Sequence, residues 1–278
     1  LGVVPRQRRL TSRLLQWLSV HDRIIRSDSG WIVTTAPEPE AAAARAVADF
    51  PEIRHEAALL SRCGPRLRDV SLGLMDPLHL LFPDNDFGLA ASIYTDAPAS
   101  QLMSGQTAEA LQAWLVNQQE GEQVRILELG AGTGGLTTYL LPVLEAWGGD
   151  YDYVFTDLSP SFLEQARDKF GHYQGVQFNL LDLESLDAEP SSTYDIAVAA
   201  NAVHAVARLS PVLRGLYRVL RPGGHLWLLE GVRPQGWLDV TFGLTEGWWK
   251  AADGDGRANY PLLEVERWRQ LMAQAGFD

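Results

Sequence analysis

From residue 124 onward, short apolar runs alternate with longer stretches in which apolar positions recur at helical spacing. The pattern predicts strands over 124–129, 151–156, 176–180, 196–200 and 225–230, with helices over 136–147, 161–170 and about 210–220. Short strands alternating with helices imply an α/β core, a mainly parallel sheet with helices on both faces. Ligands of such sheets bind beyond the carboxyl ends of the strands, so the residues just after each strand carry the functional argument.

Residues 1–104 read differently, as a helical layer. Leu14, Leu15, Trp17 and Leu18 form an apolar stripe, and 39–50 runs through Glu and Ala as a helix start does. A helix over 51–63 ends at the Gly64-Pro65 break, another runs to Leu74, and the apolar 78–82 is stopped by Pro83 and Asn85. No strand is expected in this region. A helix over 107–117 leads into the first strand and would place 85–105 over the ligand edge as a lid. The expected division is a lid subdomain, 1–104, and a core, 105–278. Tyr94 in the lid has two readings, packing between layers or contact with a substrate.

The stretch 124–138, VRILELGAGTGGLTT, is a strand, a glycine turn and a helix start. Gly130, Gly132, Gly134 and Gly135 let the backbone turn sharply and let a ligand lie against bare main chain, facing the positive end of the next helix. Gly130, Gly132 and Gly135 also satisfy the dinucleotide pattern, with Asp157 roughly 20 residues on, so a nicotinamide enzyme is one reading. Glu128 tilts the choice. A carboxylate beside the turn suits the cationic amino-acid moiety of S-adenosylmethionine and repels a pyrophosphate. Asp157 suits two ribose hydroxyls or a cap for the helix start at 159–162, and Asp182 with Leu183 an adenine amino group and ring, although acidic residues crowd that loop. His204, after the fourth strand, and Glu230, ending the fifth, fall at the same edge. The other histidines lack such a setting.

With 46% hydrophobic and 21% charged residues the chain reads as soluble and globular, and no apolar run reaches the roughly 18 residues of a membrane helix. No secretory signal is visible, and a cytoplasmic protein is expected. A formal net charge of −12 disfavours a nucleic-acid partner. The single cysteine, Cys63, rules out an internal disulfide, and no metal site is expected. The first residue is Leu, as in a domain cut from a longer polypeptide.

Taken in order, ELGAGTGG, Asp157-Leu158-Ser159, ANAVHAV (residues 200–206), Arg221-Pro222-Gly223-Gly224 and LLEGV resemble the class I S-adenosylmethionine-dependent methyltransferases, whose core is Rossmann-like. FTDLSPSFLEQARDKF, AANAVHAV and TFGLTEGWWKAAD more narrowly resemble the C-methyltransferase domains of modular polyketide synthases, specifically between Val124 and Asp253. The resemblance implies His204 as general base and Glu230 as its partner. Leu158 and Asn201 join the cofactor set, and Tyr94, Trp248 and Trp249 the acceptor pocket, although two tryptophans packing lid onto core is an equal reading. The implied acceptor is the α-carbon of a β-ketoacyl chain, phosphopantetheine-linked to an acyl carrier protein among neighbouring synthase domains. O-methylation and a catalytically silent binding scaffold are the alternatives. A sheet of this family carries two strands more than this chain shows, which again suggests an excised domain.

Overall fold

A computed structural model of the chain describes residues 2–35, 39–83, 87–119, 121–252 and 254–278; Asn85 and Asp253, used above as a stop signal and as the limit of the resemblance, lie outside the described residues. The chain divides into two compact units, Leu1–Pro98 with Pro234–Trp249, and Ala99–Arg233 with Lys250–Asp278. The boundary expected at 104 thus falls at Pro98, and the core expected to run unbroken from 105 is interrupted by Pro234–Trp249.

In the first unit, apolar spacing produces helices α1 (Arg8–Val20), α2 (Pro39–Asp49), α3 (Arg54–Cys63), α4 (Leu67–Ser71), α5 (Leu78–Leu81) and α6 (Gly88–Thr95). Leu10, Leu59, Cys63, Val70 and Leu81 are among its buried apolar residues. Burial pushes the Cys63 thiol up to about 11, against a small lowering by Arg62, so it serves as a small apolar side chain. The expectation that 1–104 holds no strand is corrected by an antiparallel hairpin, β1 (Ile24–Ser27) and β2 (Gly30–Val33), with Ile24 opposite Val33. Its β-branched residues flank Asp28-Ser29, but only Ile24 is buried, so the in–out alternation that betrays a strand is missing.

The second unit holds α7 (Pro98–Leu115), β3 (Val124–Leu129), α8 (Thr137–Trp147), β4 (Tyr151–Asp157), α9 (Pro160–Phe170), β5 (Val176–Leu180), β6 (Tyr194–Ala200), α10 (Leu209–Val219) and β7 (Leu220–Leu229). The chain then contributes α11 (Gly236–Asp239) to the first unit and closes the second with α12 (Val265–Ala275). Gln7 donates to the Leu244 carbonyl at 2.8 Å, and Arg13 pairs with buried Asp239 at 3.2 Å, tying Pro234–Trp249 to α1.

Five parallel strands pair in the order β5-β4-β3-β6-β7, so the chain changes direction of travel between β3 and β6. Alternation along β3 sends Leu127 and Leu129 into one apolar layer with α10 and α12, and Val124 and Ile126 into the other with α7, α8 and α9. β7 starts earlier than expected: Leu220 pairs with Tyr194, and after an irregularity His225 pairs with Ile196, so the Arg221-Pro222-Gly223-Gly224 turn is absorbed within the strand.

Candidate active site

All five parallel strands deliver their carboxyl ends to one edge, and the pleat decides which side chains look out from it. Glu128 shares a face with Val124 and Ile126 and is 1% exposed, beneath the start of α8. Its Oε2 accepts from the Thr137 hydroxyl at 2.5 Å and the Tyr153 hydroxyl at 2.6 Å. Burial pushes its carboxyl up to about 7, against those two hydrogen bonds and with help from nearby Asp157. Glu128 Oε2 is therefore a node joining β3, β4 and α8.

Gly130 has φ +57°, and a Cβ there would stand 2.6 Å from that of Ala202, which follows β6. At Gly134, φ +72°, a Cβ would stand 2.4 Å from the Phe170 ring. The turn therefore has no room for side chains at these positions. Gly132 donates its N–H to Asp157 Oδ2 at 2.9 Å, and Ser159 donates to Oδ1 at 2.8 Å, so Asp157 clasps the glycine turn to the start of α9. Burial raises the Asp157 pKa, partly offset by N–H bonds from Ser159, Gly132 and Leu158. Leu158 beside it is 62% exposed.

After β5, Asp182 Oδ1 accepts from Glu184 N at 2.9 Å and caps the helical turn Leu183–Ala188, while Leu183 packs against the core. After β6, Asn201 adopts φ +52° and its Oδ1 accepts from Gly231 N at 3.0 Å, joining the ends of β6 and β7.

His204 lies in the helical turn Val203–Ala205, with Nδ1 2.6 Å from Glu230 Oε2. Glu230 Oε1 accepts the N–H groups of Val203, at 2.8 Å, and His204, at 3.3 Å. Both side chains are buried. A carboxylate at Nδ1 favours the tautomer with its proton there, which makes Nε2 the basic nitrogen.

Tyr94, on α6, and Trp248 and Trp249 belong to the first unit. The Tyr94 ring stands 6.1 Å from that of Phe242. Trp249 is 8% exposed, donates its indole N–H to the Gly243 carbonyl at 2.7 Å and lies under the Arg9 guanidinium, which is a packing role inside that unit. Trp248 is half-buried.

The turns over 157–162 and 181–184 contain carboxylates, and neither these nor the glycine turn over 130–138 contains Lys or Arg. Such a donor set fits a cationic ligand with ribose hydroxyls, as S-adenosylmethionine is, and opposes a pyrophosphate. Among the described residues no cluster of ligating side chains could hold a metal ion, and no described helix is long and apolar enough to cross a membrane.

Sequence reasoning missed Thr137 and Tyr153, although Tyr153 shares the β4 face turned toward α8 and strand parity would have exposed it. It also missed Asp255 and Arg257, which meet the His204 turn from roughly 50 residues away and carry no local signal.

A family model described as a methyltransferase domain matches residues 127–226. The chain is 39% identical over 263 residues to the non-reducing polyketide synthase esdpA of Penicillium shearii, covering 91% of this chain but 12% of that relative's length. It superposes on the CurJ carbon methyltransferase with a TM-score of 0.91 at 34% identity, covering 100% of this chain and 75% of the other. On the citrinin polyketide synthase CMeT domain the TM-score is 0.90 at 30% identity, covering 99% and 73%. The nicotinamide reading is thereby set aside, and the chain belongs to the class I S-adenosylmethionine-dependent methyltransferases, among the methyltransferase domains of polyketide synthases.

Proposed function

We propose that this domain methylates the α-carbon of a β-ketoacyl thioester carried on the phosphopantetheine arm of an acyl carrier protein, within a larger cytoplasmic polyketide synthase whose neighbouring domains supply and consume the chain. The observation that carries the reading is the buried His204–Glu230 pair, with Nδ1 2.6 Å from Oε2, at the edge that also bears the glycine turn. His204 Nε2 takes the proton of the carbon between ketone and thioester, which is acidic enough for an imidazole because the resulting enolate spreads its charge over both carbonyls. Glu230 holds the tautomer and stabilises the imidazolium that forms. S-adenosylmethionine, when bound, supplies an activated sulfonium methyl. Main chain at Gly130, Gly132 and Gly134, with Asp157 and Leu158, Asp182 and Leu183, and Asn201, would hold the cofactor; Glu128 stiffens that cradle from beneath. Tyr94 and Trp248 are the proposed acceptor contacts, Trp249 their support.

O-methylation is the second reading, since the same dyad can deprotonate an enol hydroxyl. Incubation with a β-ketoacyl carrier protein and S-adenosylmethionine should add one methyl by intact mass, located on carbon by NMR of the released acid, and His204→Ala should abolish it. A methyl on oxygen, or full activity of His204→Ala, would refute the reading. Calorimetric titration showing no cofactor binding would support a silent scaffold instead.

A further inference from the structure

Glu230 grips the amide N–H groups of the His204 turn, and the carbonyls of the same stretch go to a different partner. Arg257 is 0% exposed, yet each of its five N–H groups has an acceptor. Nη1 donates to the His204 carbonyl at 2.6 Å and the Val206 carbonyl at 2.8 Å. Nη2 donates to the Ala207 carbonyl at 3.2 Å and to Asp255 Oδ2 at 2.5 Å, and Nε to Asp255 Oδ1 at 3.1 Å. Asp255 also accepts from Leu209 N, the first residue of α10, at 3.3 Å. Burial raises the Asp255 pKa, but the hydrogen bonds and charge of Arg257 outweigh it and hold the carboxyl below its usual value. Ala207 is pinned further: its N–H donates to Glu184 Oε1 at 2.9 Å, and that carboxylate pairs with Lys250 at 2.6 Å.

We infer that Arg257, with Asp255 as its counter-ion, is a positioning residue for the proposed proton transfer, holding the carbonyls of residues 204, 206 and 207 so that the His204 imidazole keeps one direction. The inference rests on His204 being the base. A peptide unit is planar, so fixing its carbonyl also fixes the next N–H and the Cα directions on either side. Arg257 and Glu230 thus clamp one short turn through opposite kinds of backbone group. A buried ion pair gains little net stability over an apolar replacement, whereas the planar guanidinium fork addresses several carbonyls at once in a way an ammonium cannot.

The test is Arg257→Lys, which keeps the charge and loses the fork, with Asp255→Asn as a second, milder loosening. In cofactor-bound protein, kcat should fall about ten- to a hundredfold while KM for the carrier substrate and the dissociation constant for S-adenosylmethionine stay within about twofold. Independently of turnover, the nitrogen-15 spectrum of the His204 ring, assigned by its loss in His204→Gln, should change from one fixed tautomer to an exchanging mixture. An unchanged ring spectrum, or cofactor affinity falling in step with kcat, would overturn the inference. So would loss of the thermal transition in both variants, which would make Arg257 a core residue. Full activity of His204→Ala would instead sink the base assignment, leaving the ring spectrum as a separate result.

Discussion

At the scale of single residues, the His204–Glu230 pair and Glu128 illustrate two fates of a buried carboxyl. Glu230 uses one oxygen on the His204 ring and the other on two backbone amides. In Glu230→Gln the amide NH2 would donate to Nδ1, move the ring proton to Nε2 and remove the base, so kcat should drop at least about a hundredfold with cofactor affinity retained. Steady-state kinetics beside calorimetric titration checks this. Glu128, raised to about 7 by burial, keeps in the folded state a proton that the unfolded chain releases near 4.5. The folded state therefore binds more protons between those values. Its stabilising contribution is full below about pH 4.5 and is lost as pH rises through about 7, by up to about 3 kcal/mol. Urea unfolding of the cofactor-free protein at pH 5 and 7.5 should show this loss in the parent and not in Glu128→Gln; equal losses in both would refute it. The presence of Glu128 at the glycine turn was legible in the sequence. Its direction was not, because it depends on which face of β3 packs beneath α8.

At the scale of elements, strand and helix order from residue 124 on follows from hydrophobic periodicity, because the central strands β3, β4 and β6 are buried on both faces and the helices that cover them pack through an apolar face. Where burial is weak the signal fades: the hairpin β1–β2 shows almost no buried face, and β7 carries Arg221-Pro222-Gly223-Gly224 as an irregularity that reads locally as a turn. The junction of β3 and α8 leaves no room for a side chain at Gly134. Gly134→Ala would place a methyl 2.4 Å from the Phe170 ring at φ +72°, costing about 2 kcal/mol or more in urea unfolding. Adding Phe170→Leu should recover the steric part and leave the backbone part. Full recovery would show that the left-handed backbone carries no cost here.

For the whole molecule, the proposed cofactor ligands from Gly130 to Asn201 all lie in the unit Ala99–Arg233 with Lys250–Asp278, and the first unit contributes none. Calorimetry with S-adenosylmethionine at a hundredfold over its dissociation constant should stabilise the transition of that unit by about 2.7 kcal/mol, and leave any separate transition of the other unit in place. Equal upward shifts of two resolved transitions would contradict this. The sequence alone determined the parallel α/β core, the glycine turn and the chemistry at each strand end, because periodicity and turn residues are local properties of the chain. It also placed His204 and Glu230 at one edge, since parallel strands bring all their carboxyl ends together. Tertiary structure decided what each of those groups touches: Glu128 turned inward, Asp182 spent one oxygen on a cap, and Pro234–Trp249 joined the first unit through α1. Only the folded chain brings Arg257 onto the carbonyls of the His204 turn, because a contact across that much sequence is set by how β6, α10 and the following loop pack, and no periodicity encodes it.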